Sequence, residues 1–213
     1  MKTFKELLIE LRAYSNVTEW VEDKTIEQVV EQCHRGDWLL WLAKRVDIGL
    51  QPLTLAKAHC ANTVRHLMKD ERSIKAVDTA IAFGEGKANL EDLNSASTTA
   101  YATTYATTYA TTYAAYNAFA GSSSAAVAAA AAANVSADAA IIADYAAVAI
   151  ADYAAEVAYA ADYTSTSSSA AASAAAHVGA EKQNLNQTAD ICRKYIGHLI
   201  IEKVNELLNT KEK

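Results

Sequence analysis

Residues 101–116 read YATTYATTYATTYAAY, a four-residue unit repeated inside a tract that is mostly alanine, and its period decides the fold class. As a strand, the unit sets tyrosine with one threonine on one face and alanine with the other threonine on the opposite face. No division into an apolar and a polar side results, and the strand would run the whole stretch without a turn. As a helix, each four-residue step advances the side chain by about 40°. Tyr101, Tyr105, Tyr109 and Tyr113 then fan across one side with Tyr116 inside their arc, while Ala102, Ala106, Ala110 and Ala114 make a smooth adjoining stripe. A second helix approaches such a stripe closely. The threonines oppose the helix by about half a kcal/mol each against alanine. Burying a few tyrosine rings, each on the order of a few kcal/mol by area, offsets that.

The same reading extends outward. GSSS at 121–124 breaks the tract, a second alanine-rich segment runs to Asn134, and a third, capped by Ser136, carries DY at 144–145, 152–153 and 162–163. TSTSSS at 164–169 is the weakest helical stretch and reads equally as a loop. With only one proline and seven glycines in 213 residues, turns are too few for a sandwich or barrel of short strands. The expected fold is all-α: a multi-helix bundle of closely packed Ala-rich helices with an N-terminal helical subregion. A single domain, 1–213, is expected to hold N-terminal helices over 1–95, Ala/Tyr/Thr-rich helices over 96–178 and a C-terminal helix over 179–209.

Local signals place the other helices. Phe4, Leu7, Leu8 and Leu11 form one amphipathic stripe, and Thr25 with Gln28 makes a capping box ahead of IEQVVEQC. Gly36 reads as the end of that helix, Asp37 as the cap of the next, WLLWLAKRV. Pro52 suits the first turn of a helix reaching about Met68, Asp70 caps another that stops near Gly84 and Gly86, and Asn89 starts a long one. In the last segment Leu185, Ala189, Cys192, Ile196 and Leu199 follow heptad steps, with Gly197 as an interruption.

Charge is segregated. Between Lys87 and Lys182 there is no lysine or arginine, while Glu91, Asp92, Asp138, Asp144, Asp152, Glu156, Asp162 and Glu181 are acidic. Subtracting those eight carboxylates from the net charge of −6 leaves the flanks near +2. A tract of one sign argues against nucleic-acid backbone binding there and favours a basic partner, or is a solvated face. The long uncharged run between Asp92 and Asp138 is mostly alanine, threonine, serine and tyrosine, and alanine is only marginally lipophilic, so no membrane span is expected. MKTFKELLIELR has no signal-peptide core, so a cytoplasmic protein is expected.

Candidates for chemistry are few. Cys33, Cys60 and Cys192 lack C-x-x-C spacing and read as reduced, buried thiols. His59 and His66 share a face of one expected helix but have no H-E-x-x-H partner, so no metal site is expected. Asp138, Asp144, Asp152 and Glu156 lack the histidines of a di-metal centre. No phosphate-loop, dinucleotide or serine-hydrolase motif occurs, so no cofactor and no enzymatic activity are expected. RGDWLLWL at 35–42 sets a charged pair before two tryptophans, which is either core or a recognition anchor. Threonines at steps of four rotate steadily around a helix, which disfavours a flat ice-binding face.

EWVEDKTIEQVVEQCHRGDWLLWLAKRV at 19–46, KAHCANTVRHLM at 57–68, DERSIKAVDTAIAFGEGKANLEDL at 70–93 and QTADICRKYIG at 187–197 together resemble the bacterial immunity proteins of the Imm5 type. The likeness runs from about Glu19 to Gly197, and its most specific pieces are G-D-W at 36–38, the residues around Asp78, and A-D-I-x-R at 189–193. It implies an all-α protein, encoded beside a polymorphic toxin and neutralising that cognate protein toxin by direct binding, with no catalytic residues. On that analogy Arg35, Asp37, Trp38, Arg72, Asp78, Asp190 and Arg193 are partner-binding positions, or else a polar network holding helices in register. The acidic tyrosine-bearing segment adds Asp144 and Asp152 as contacts to a basic toxin surface. A structural or metal-binding helical bundle is the alternative.

Overall fold

The computed structural model describes residues 2–67, 71–96, 98–99 and 181–209, and among them every regular element is helical, with no strand. The tyrosine repeat, the segments that follow it, Asp144, Asp152 and the expected cap Asp70 lie outside the described residues.

Helix α1 (Phe4–Glu10) starts with a capping box in which the Thr3 hydroxyl accepts from the Glu6 amide and the Glu6 carboxylate accepts from the Thr3 amide. It buries Phe4, Leu7 and Leu8, three of the four stripe positions. Helix α2 (Ser15–Val21) is short and has no side-chain cap, which is why no sequence signal announces it. Helix α3 (Ile26–Gln32) carries the Thr25–Gln28 capping box that its sequence predicts.

Helix α4 (Gly36–Arg45) corrects the expected boundary. Cys33 is the C-cap of α3, Arg35 is the N-cap of α4 without a side-chain cap bond, and Gly36 lies inside α4. A Cβ on Gly36 would stand 2.5 Å from Thr188 Oγ1 and 2.7 Å from the Thr188 carbonyl carbon, so the glycine is there to let another helix touch.

Helix α5 (Leu50–Asn62) carries Pro52 in its first turn and ends six residues before Met68; a 3-10 turn over Arg65–Leu67 follows a loop. Leu53, Thr54, Ala56, Lys57, Ala58, Cys60 and Ala61 are all buried, so α5 is surrounded on nearly every side. Helix α6 (Glu71–Gly84) packs along it, with Gly84 against Leu55. Residues 90–96 are helical again, opened by reciprocal bonds between Asn89 and Asp92.

Helix α7 (Glu181–Asn209), about 43 Å of continuous helix at 1.5 Å per residue, packs on α3, α4 and α5 and touches α1. Its buried side is Asn184, Thr188, Ala189, Cys192, Ile196, Ile200 and Val204. Gly197 does not interrupt it. A Cβ there would lie 3.1 Å from Val30 Cγ1, so Gly197 is a contact with α3 rather than a break. The core joins α1, α2, α3, α4 and α7 through Leu8, Val21, Ile26, Leu40, Ile196 and Ile200. Each such side chain, buried fully, contributes about 1.5–3 kcal/mol. No helix among the described residues is long and apolar enough to cross a membrane.

Candidate functional site

The turn between α3 and α4 gathers the residues to which the sequence points. Arg35 donates through Nε to Asp37 Oδ1 at 3.1 Å and through Nη2 to Asp37 Oδ2 at 2.6 Å, a bidentate pair. Asp37 is only 7% exposed, in the first turn of α4, where the helix dipole also favours its charge. It therefore holds Arg35 instead of capping the helix.

The Arg35 guanidinium lies 5.0 Å over the Trp38 ring. Trp38 meets Trp20 of α2 edge-on with centroids 5.8 Å apart, and Trp20 meets His34 in the same way at 6.2 Å. Lys24 donates to the Trp20 carbonyl at 2.8 Å, and its ammonium stands 5.1 Å from the Trp20 ring. Trp20 and Trp38 are half-buried, and His34 is exposed. Behind them an apolar cleft is lined by Phe4, Leu8, Val17, Cys33 and Trp41. The corner presents two tryptophans braced by two cations, with their inner edges in the core.

Helix α7 braces the same turn from behind. Arg193 donates through Nη1 to the Cys33 carbonyl at 2.5 Å and the Val30 carbonyl at 3.3 Å, and through Nη2 to exposed Asp190 at 2.5 Å. Arg35, Asp37, Trp38, Asp190 and Arg193 thus belong to one corner. Asp78 does not. Its carboxylate takes the Arg65 guanidinium at 2.5 and 2.9 Å, joining α6 to the turn after α5, and Arg72 lies exposed on α6.

Trp20, Lys24 and Arg65 were not legible as site residues. A tryptophan just ahead of the Thr25–Gln28 box, in the same stretch as RGDW, is the signal that could have found Trp20. His66 lies beyond the end of α5, so it does not share a helix face with His59. His59 instead stacks flat on Tyr195 of α7, centroids 4.5 Å apart and planes at 5°, and burial, aided by Lys194, holds its pKa below the ordinary range. Among the described residues no group of three or more His, Cys, Asp or Glu side chains is placed to hold a metal ion.

All three cysteines are buried thiols. Cys33 donates to the Arg35 carbonyl at 3.3 Å, and burial pushes its pKa up to about 11. Raising the pKa of an acid on folding means the native state keeps a proton that the unfolded chain gives up. Stability from this group is full below pH 9.0 and is lost as pH rises toward about 11. Urea midpoints are expected to fall across that window, and Cys33→Ala to shrink the fall; equal falls in both proteins contradict this assignment.

The fold and the corner define an all-helical protein that carries a half-buried tryptophan and arginine cluster at a helix junction. No protein-family model matches the chain, and neither curated proteins nor solved structures give a significant match.

Proposed function

We propose that this chain is an immunity protein that neutralises a cognate bacterial toxin in the cytoplasm by direct binding, with no catalysis of its own. The observation that supports the reading most is the convergence of two separate pieces of the resemblance. G-D-W at 36–38 and A-D-I-x-R at 189–193, distant in sequence, meet where Gly36 touches Thr188 and Arg193 grips the Cys33 carbonyl. The exposed edge of that corner consists of residue types that dominate binding energy when a partner covers them, tryptophan and arginine on a rigid support. The acidic stretch between Lys87 and Lys182 steers a basic toxin toward it.

The test pairs this chain with the product of the adjacent reading frame. Expression of the chain rescues cells that produce that toxin, and the two proteins co-purify. Trp38→Ala is expected to weaken the complex roughly 30-fold, and Arg35→Ala roughly tenfold, with circular dichroism unchanged. A wild-type chain that neither protects nor binds overturns the function. Full affinity in both variants moves the interface away from the corner.

A further inference from the structure

We propose that Cys60 and Cys192 form a redox staple, in which a low-molecular-weight disulfide oxidises the pair to an intrachain disulfide that ties α5 to α7. Their sulfurs stand 4.0 Å apart, and both side chains are fully buried. Neither is held away from the other by a strong partner. Cys60 reaches the Thr188 carbonyl only at 3.8 Å and Cys192 the Gly36 carbonyl only at 3.6 Å. Closing to a bond length near 2.05 Å therefore asks for a shift of about 2 Å and sacrifices no short hydrogen bond. Cys33 is committed to the Arg35 carbonyl at 3.3 Å.

The chemistry is two exchanges. One thiolate of the pair attacks the small disulfide, forming a mixed disulfide and expelling one small thiol. The second protein thiolate then attacks the protein sulfur of that mixed disulfide and expels the other. Each cysteine loses a proton and an electron, and the oxidant leaves as two thiols. Burial pushes the Cys192 pKa up, so the attacking thiolate forms when α7 lifts from α5, and oxidation is slow from the closed state. After reclosure the same burial shields the bond from reductants. The staple closes a loop over the entire alanine-rich tract, since the two cysteines are 132 residues apart.

The full chain is incubated with oxidised glutathione in mild urea, then unfolded and alkylated with iodoacetamide. The expected product carries one alkylated cysteine, Cys33, and no glutathione. Elastase, which cuts after alanine, then gives N- and C-terminal fragments that migrate together without reductant and separately with it. Thermal unfolding of the oxidised form rises by roughly 5 °C or more. Cys33→Ser bridges as the wild type does. Three alkylated cysteines, a stable glutathione adduct, or loss of the bridge in Cys33→Ser would each overturn the proposal.

Discussion

Alanine at position 36 is expected to lower the free energy of unfolding by about 3 kcal/mol, against a helix-propensity gain of at most about 1 kcal/mol. The new methyl would stand 2.5 Å from Thr188 Oγ1 and 2.7 Å from both Thr188 Cβ and the Thr188 carbonyl carbon. A side-chain tip can rotate away; a carbonyl carbon moves only with its helix. Displacing α7 there loosens Arg193 from the Cys33 carbonyl and withdraws Ala189, Cys192 and Ile196 from the core. Gly197→Ala on the same helix supplies the comparison. Its methyl would crowd Val30 Cγ1, at 3.1 Å, and meet the Cys192 carbonyl oxygen at an ordinary 3.9 Å, so propensity and crowding nearly cancel. Urea unfolding followed by circular dichroism reads both. Equal midpoints for the two variants would mean that α4 and α7 do not touch at Gly36.

Those glycines also mark where the sequence misleads. Capping boxes are local, closed within four residues, and both the Thr25–Gln28 box and the start at Asn89 stand where the pattern puts them. The apolar stripe of α1 is likewise legible, because a period of 3.6 needs no knowledge of the partner. Gly36 and Gly197 read as helix stops because glycine most often punctuates. Here each stands where another helix passes close, a reason that exists only after the chain has folded. Gly84 combines both roles, ending α6 and seating it on Leu55. Helix α2 was invisible for the opposite reason: without a side-chain cap and with only Val17 and Val21 buried, it owes its existence to packing.

The candidate site shows the same division. Arg35, Asp37 and Trp38 are neighbours in sequence and remain neighbours in space, so their grouping was legible. Pairing Asp78 with Arg65 required knowing that α5 ends at Asn62 and that the chain then turns back. No spacing rule carries that information.

Arg193→Ala is expected to cost about 3 kcal/mol of stability, which separates a strut from a contact among residues that the sequence grouped together. Helix α3 has no basic residue in its last turn, and its terminal carbonyls need a donor. Arg193 supplies one from α7, bonding the carbonyls of Val30 and Cys33 through a single nitrogen. A charged hydrogen bond contributes about 1.5–3 kcal/mol. Water recovers part of the loss, because the arginine side chain is 28% exposed. Lysine at 193 keeps the charge that the helix end favours but lacks the planar fork, so it is expected to recover about half. Asp190→Ala removes only an exposed i, i+3 pair and should stay within about 0.5 kcal/mol of the wild type. The Trp38 and Arg35 variants make the opposite trade, weakening the complex while leaving helicity intact. If Arg193→Ala keeps the wild-type urea midpoint yet abolishes protection from the toxin, then Arg193 faces the partner rather than α3, and the corner is a charged interface rather than an aromatic one on a rigid support.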